Sequence, residues 1–368
     1  MRSVDVAIVG AGVIGACIAE TLARASQLRI ALLERGMPGC EASSAAAGVL
    51  AVASGQARQG VLLELRRLSG AMFPELVARL QHETGLALGL RSDGLISLAF
   101  SAAEMAALEE LVRHRSAQGF RAEVLAAADL LRLEPAVAPN VRGGALFPDD
   151  RAIHNERFVH ALIVAAQRRG VALYPHTPVR SLLRSDGAVR LELHRGSLEA
   201  AVVVVAAGAW SPQLLAPSGV KVPVRPARGE ILAVRPTRWA LLHTLAAGNG
   251  YLVPRDGGEV LIGSTTAFDG FEKHVTADGL ATLRARAVSM VPRIDELPEL
   301  RSWAGLRPCS TIRRPIIGPL PGWENVILAT GHHRNGILLA PITARLVSEL
   351  VLGLSPSVPM RPFSYRKH

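Results

Sequence analysis

Apolar positions in this 368-residue chain fall first into a short run at Val4, Val6, Ile8 and Val9, which predicts a buried strand. Ile14 to Ala25 then reads as a helix, and Arg29 to Leu33 as a second strand closed by Glu34. Val61 to Thr84 has the period of an amphipathic helix, with a break expected near Pro74. Gly94–Phe100 reads as a strand. Ala102–Gln118 reads as a helix with Met105, Leu108, Leu111 and Val112 on one face, and Asp129–Leu133 as a short helix before Pro135. Ala145–Pro148 is taken as the start of a return to the first domain. Glu156–Arg169 is a helix ending at Gly170, followed by strands at Val171–Tyr174, Val179–Leu183 and Val189–Leu193. Val202–Val205 is continuous valine, the pattern of a strand buried on both faces of a parallel sheet.

From Val224 to Glu259 the pattern changes. Ile231–Val234, Tyr251–Pro254 and Val260–Gly263 are short strands between polar turns, which predicts an antiparallel sheet. Leu280–Val291 is helical and Val326–Ala329 is a short buried strand. A final helix, Ile337–Leu352, is apolar at Leu338, Leu339, Ile342, Leu346, Val347 and Leu350.

Between the first strand and helix stand Gly10, Gly12 and Gly15, a G-x-G-x-x-G. Gly10 permits the tight turn, Gly12 lets the backbone approach a pyrophosphate, and Gly15 lets helix and strand pack closely. The helix N-terminus offers unpaired N–H groups to phosphate. Glu34 lies about 20 residues on, where a carboxylate accepts ribose hydroxyls. An acid there argues against a 2′-phosphate, and this stretch alone leaves NAD and FAD both open. In the loop from Gly36 to Leu50, Ser43 and Ser44 offer hydrogen bonds to phosphate. Ala45 to Gly48 are small enough for a flat ring to lie on their backbone, although the same residues also read as a serine-capped helix start. Ala206, Ala207 and Gly208 follow the valine strand at the end where ligands sit in open α/β sheets.

The expected fold is therefore α/β with an α+β second domain: a Rossmann-like nucleotide-binding domain with an inserted antiparallel-sheet substrate domain. Its expected segments are 1–75, 145–215 and 305–368 for the first domain, and 76–144 and 216–304 for the second.

Composition narrows the function less than the motifs do. The net charge of +10 comes almost wholly from arginine, since there are only three lysines, Lys221, Lys273 and Lys367. The arginines are scattered, and no aromatic residues interleave with them, so attraction for anionic substrates is favoured over a nucleic-acid surface. Three cysteines, Cys17, Cys40 and Cys309, lack metal spacing and suit a reducing cytoplasm. No uncharged run reaches about 18 apolar residues, so no transmembrane helix is expected. The early first strand leaves no room for a signal peptide.

Six motifs taken together resemble the FAD-dependent D-amino-acid oxidase family, and within it the thiamine-pathway glycine oxidases. They are the glycine motif with Glu34, S-S-A-A-A-G at Ser43–Gly48, V-V-A-A-G-A-W at Val204–Trp210, Y-L-V-P-R at Tyr251–Arg255, W-A-G-L-R-P at Trp303–Pro308, and G-H-H-R-N-G-I-L-L-A-P at Gly331–Pro341. The resemblance implies FAD as cofactor. It puts Val13, Ile14, Glu34 and Arg35 at the pyrophosphate and adenosine, and Ala42, Ser43, Ala47, Gly48 and Val49 at the phosphates and flavin. The Val179 backbone would contact adenine. His332, His333, Arg334, Asn335, Gly336, Ile337 and Leu338 would wrap the flavin ring, with the start of the last helix aimed at its polar edge, where reduction places negative charge. Relatives with covalent flavin carry a cysteine at the position aligned with Gly305, so noncovalent FAD is expected. C-S-T-I-R-R at Cys309–Arg314 departs from the acidic turn of the family.

Substrate binding then falls to Arg307, Tyr251 and Arg334. An arginine fork matches a carboxylate with two parallel hydrogen bonds, and a tyrosine hydroxyl adds a third. Read without the resemblance, Arg307 is equally a surface arginine beside a proline turn, Tyr251 a packing residue and Arg334 a salt-bridge partner. No catalytic base is nominated, and no metal is expected. The implied reaction is oxidative deamination of glycine or another small amino acid, with hydride passing to flavin and dioxygen as acceptor, in thiamine (thiazole) biosynthesis. The rivals are a dehydrogenase of the same fold for D-amino acids, sarcosine or proline-type substrates, using a quinone or protein acceptor, and a subunit of a glycine-oxidising, cyanide-forming complex. The expected partners are a small amino-acid substrate and dioxygen or another electron acceptor, without nucleic acid; homo-oligomer formation stays open.

Overall fold

Val6, Ala7, Ile8 and Val9 are almost wholly inaccessible because they run through the middle of an eight-stranded sheet. The computed structural model describes residues 2–55 and 60–365. In the first sheet, strand β1 (Arg2–Val9) lies between β2 (Ile30–Leu33) and β11 (Ser197–Val205), and all three are parallel. Beyond β2 comes β8 (Ala172–Tyr174), also parallel. The long β11 divides its outer edge. Its first half pairs with the β10 (Ala188–Leu193) and β9 (Val179–Ser185) meander, and its valine end pairs in parallel with β18 (Trp323–Thr330). The sheet ends at β17 (Ile316–Leu320), antiparallel to β18.

Four helices cover one face of this sheet: α1 (Val13–Ala25), α2 (Val61–Thr84), α5 (Asn155–Arg168) and α8 (Gly336–Val351). The expected break at Pro74 is absent, and α2 is one 24-residue helix. Ser69, Gly70, Phe73, Val77 and Leu80 are buried on its face toward α5 and α8. That burial outweighs the single hydrogen bond the proline removes.

The second sheet runs β16 (Arg301–Ser310), β12 (Val224–Val234), β15 (Val260–Gly263), β14 (Gly250–Pro254), β13 (Thr244–Ala247), β4 (Leu95–Ala99), β6 (Gly143–Phe147) and β5 (Glu123–Ala126). All its pairings are antiparallel except β13 with β4. Helices α3 (Ala102–Ala117), α4 (Ala127–Leu133) and α7 (Ala277–Met290) accompany it, and α4 and α7 contribute to its core. A two-stranded pair, β3 (Val49–Leu50) with β7 (Arg151–Ala152), bridges the loops between the layers.

Two stretches pair differently from the segmentation expected above. Ala145–Phe147 belong to β6 and pair with β4, because the apolar run continues as strand until the turn after Phe147. Residues 305–310 belong to β16, which pairs with β12 along ten positions. Gly305 and Pro308 hide that strand in the sequence, and both sit on an edge strand, where proline is tolerated. Residues 366–368 of the last expected segment lie outside the described residues.

Candidate active site

The glycine turn is built as its spacing demands. Gly10 has φ +107°, and a β-carbon there would press on the Ala206 carbonyl; one on Gly15 would overlap the Gly10 carbonyl. The Val13 amide, at the start of α1, donates to Ser43 Oγ at 2.9 Å. Glu34 accepts from the Ala11 amide at 2.9 Å and the Gly36 amide at 3.1 Å, so its carboxylate is fixed across the mouth of the turn. The Arg35 guanidinium lies 3.6 Å from the Trp210 ring centre and pairs with Glu41 at 2.7 Å.

The segment 42–48 is a series of turns rather than a helix start, and three groups hold it in place. Trp303 Nε1 donates to the Ala45 carbonyl at 3.3 Å, and Gly305 leaves room for Ala45, whose β-carbon a side chain at 305 would overlap. Asn155 Nδ2 donates to the Ser43 and Ser44 carbonyls at 2.7 and 2.9 Å. Arg255, only 7% exposed, donates to the Ala47 carbonyl at 2.9 Å, to Asn155 Oδ1 at 2.8 Å and to the Ile153 carbonyl. Desolvation lowers its pKa to about 10. Asn155 and Arg255 received no role from the sequence, although Arg255 closes the Y-L-V-P-R motif.

These elements enclose a cavity of about 590 Å³, within the usual ~300–1,000 Å³ of cofactor and ligand sites. Gly10, Gly12, Val13, Ile14, Glu34, Arg35, Ala42, Ser43, Ala47, Gly48, Val49, Val179, Ala207, Gly208 and Gly305 all line it. So do His332, His333, Arg334, Asn335, Gly336 and Ile337 from the turn into α8, together with Tyr251 and Arg307. Three of the residues singled out from the sequence do not. Gly15 is under the turn. Ser44 is turned away, its hydroxyl donating to the Glu41 carbonyl at 3.0 Å, so it is not poised for a phosphate. Leu338 is core, its carbonyl accepting from Ser69 Oγ at 2.6 Å.

Tyr251, Arg307 and Arg334 meet at one end of the cavity. Tyr251 on β14 lies over Gly263 of β15, and Arg307 on β16 lies over Gly229 of β12; a β-carbon on either glycine would overlap the ring or the guanidinium. Strand glycines often mark such a close approach, but Gly229 lies outside the strand expected at Ile231–Val234, because β12 begins earlier, at Val224. Arg307 donates to the Thr265 carbonyl at 3.1 Å, and Arg334 to Thr266 Oγ1 at 2.8 Å, so consecutive residues of one loop hold both forks. Burial pulls the Arg307 pKa down, the Tyr251 hydroxyl opposes this, and the Arg334 charge adds to it.

The two histidines are neutral. Burial pushes His332 down to about 3, and its Nε2 lies 3.1 Å from Thr343 Oγ1. His333, with φ +50°, is lowered to about 4 by burial and by the charges of Arg307 and Arg334. Arg313 and Arg314, from the stretch that departs from the family, are exposed and do not line the cavity.

Residues 5–350 match a family model described as FAD dependent oxidoreductase. The chain belongs to this family. Among its relatives, the glycine oxidase of Geobacillus kaustophilus (strain HTA426) is 37% identical over 369 residues, covering 99% of this chain and 97% of the relative. A crystal structure of glycine oxidase from Geobacillus kaustophilus superposes with a TM-score of 0.96 over 100% of both chains at 36% identity. One of iminodiacetate oxidase from Chelativorans sp. BNC1 does so at 0.91, over 98% of both chains and with 25% identity. The fold is that of the glycine oxidases, and the protein is an FAD-dependent oxidoreductase.

This chain's own residues fit an FAD. The glycine turn and the N-terminus of α1 face the cavity where a pyrophosphate needs donors, and Glu34 stands where ribose hydroxyls need an acceptor. The small residues from Ala42 to Gly48 leave their backbone bare, and α8 starts with no side-chain cap. No helix among the described residues is long and apolar enough to cross a membrane.

Proposed function

We propose that this oxidoreductase oxidises a small primary or secondary amine bearing a carboxylate, with glycine the first substrate to test and dioxygen the acceptor. The supporting observation is the convergence of Arg307, Tyr251 and Arg334 on the cavity end that also holds the turn into α8. Bound FAD would supply the two-electron acceptor, held noncovalently. No thiol stands at Gly305, and Cys309 does not line the cavity.

Arg307 and Arg334 bind the substrate carboxylate, and the Tyr251 hydroxyl donates to it. Gly263 and Gly229 let Tyr251 and Arg307 seat closely on the sheet, and the bonds to Thr265 and Thr266 hold the two arginines, so orientation is set before the substrate arrives. Nothing in the cluster acts as a base. The neutral histidines stay unprotonated at neutral pH, and the amine enters the reaction unprotonated, its lone pair driving departure of the α-hydrogen. For glycine the balance is glycine, dioxygen and water giving glyoxylate, ammonia and hydrogen peroxide. The likeness to iminodiacetate oxidase supports widening the substrate panel to N-carboxymethyl amines.

The test is anaerobic mixing of the holoprotein with glycine, sarcosine, iminodiacetate, D-alanine and D-proline while oxidised-flavin absorbance is followed. Bleaching by one of them, reversed promptly on admitting air with peroxide formed, supports the reading. Bleaching that air reverses only slowly replaces dioxygen with another acceptor, and absence of bleaching with the whole panel removes the amine assignment.

A further inference from the structure

Arg66 lies on α2, one turn before Ser69, whose hydroxyl bonds to the Leu338 carbonyl and ties α2 to the start of α8. Its guanidinium is thereby carried into the cavity wall beside Ser54, Gly55, Asn335 and Gly336. The residue is only 8% exposed. One terminal nitrogen donates to Asn335 Oδ1 at 2.9 Å, while Nε and the other terminal nitrogen have no hydrogen-bond partner among the described residues. The acid whose charge acts on it, Asp150, is engaged elsewhere: its oxygens accept from the Ala53 and Ser54 amides at 2.7 and 3.0 Å.

A buried guanidinium with idle donors is costly unless a ligand completes it. Arg66 also stands beside the start of α8, whose N-cap residue Asn335 makes no side-chain cap and accepts from Arg66 instead. Both features border the same stretch of cavity wall, and an electron-rich acceptor there serves either. The pyrimidine edge of a flavin, its N1 and C2 carbonyl, has that chemistry. A carboxylate is already provided for by the cluster at Arg307.

We propose that Arg66 contacts the polar edge of the bound flavin and stabilises the negative charge that reduction places there. This rests on FAD occupying the cavity, and not on which amine is oxidised. Arg66 adds a full charge to the partial charge of the helix start, and its link to Asn335 sets its orientation.

The test uses holoprotein without any amine. Sulfite adds reversibly to oxidised flavin and leaves negative charge at the same edge, so its dissociation constant reads the local potential, and the two-electron midpoint potential reads it again. Arg66→Met should bind sulfite at least tenfold more weakly and lower the midpoint potential by about 30 mV for each tenfold in the reduction equilibrium. Arg66→Lys, which keeps the charge and loses the fork, should stay within threefold of wild type. An Arg66→Met holoprotein with wild-type sulfite affinity and potential overturns the proposal. If Arg66→Met retains no flavin, the lysine variant decides: near-wild-type values support a charge role, and a tenfold loss despite the retained charge overturns it.

Discussion

The Arg307 guanidinium rests in space left by the absent side chain of Gly229, a residue on the neighbouring strand β12. Gly229→Ala places a β-carbon in overlap with the Arg307 terminal nitrogens and forces the fork out of place, and overpacking of this kind costs about 1–3 kcal/mol. KM for the carboxylate substrate should rise roughly five- to hundredfold, with flavin content unchanged. Steady-state kinetics beside the flavin absorbance ratio checks this, and a wild-type KM would show that the arginine relaxes freely.

Arg307→Ala removes a charge-assisted fork worth about 1.5–3 kcal/mol in binding. The expected result is a KM raised by about ten- to hundredfold, with a smaller change in kcat. Arg307→Lys should recover little, since a point charge does not reproduce two parallel donors. Unchanged kinetics in the alanine variant would remove Arg307 from the site.

Arg255→Met leaves the Ala47 and Ile153 carbonyls and the Asn155 amide oxygen without their donors. Breaking a buried charged network costs roughly 3–5 kcal/mol. The variant should melt well below wild type and release FAD on gel filtration, since the 42–48 turns lose their clasp. A melting temperature within a degree of wild type would contradict the clasp.

Acid should loosen this fold through His332. Unfolded, its imidazole takes up a proton near pH 6.5, whereas burial holds the folded group down at about 3. The unfolded chain therefore binds more protons between those values, and this contribution to stability disappears as pH falls through that window. His332→Gln should flatten the decline in Tm between pH 7 and pH 5, measured by thermal melts across that range. His333, lowered to about 4, adds to the same slope.

Much of the fold was legible because its signals are local. The valine run, the glycine turn and the period of α1 and α8 each declare their element within about 15 residues. The site was harder, for two physical reasons. The W-A-G-L-R-P stretch carries glycine and proline that disguise an edge strand, so its pairing with β12, and hence Gly229 under Arg307, was not expected. Arg255, Asn155 and Arg66 act through partners about 100 to 270 residues away, and no periodicity encodes such contacts. Ser44 shows the converse. Its hydroxyl suggested a hydrogen bond to phosphate, but a local turn claims it.

The placement of β1 also bears on the order in which the protein assembles. Val6 pairs with Val202 on one side, and the far wall of the cavity comes from β16 and the turn at 332–337. Translation at ~5–20 residues per second leaves the opening strand waiting roughly 10–40 s for its partner. The glycine turn precedes these elements in the chain and takes its final shape only once they have been made. Nascent chains stalled before residue 300, which lack the wall from Gly305 to Ile337, should therefore remain colourless.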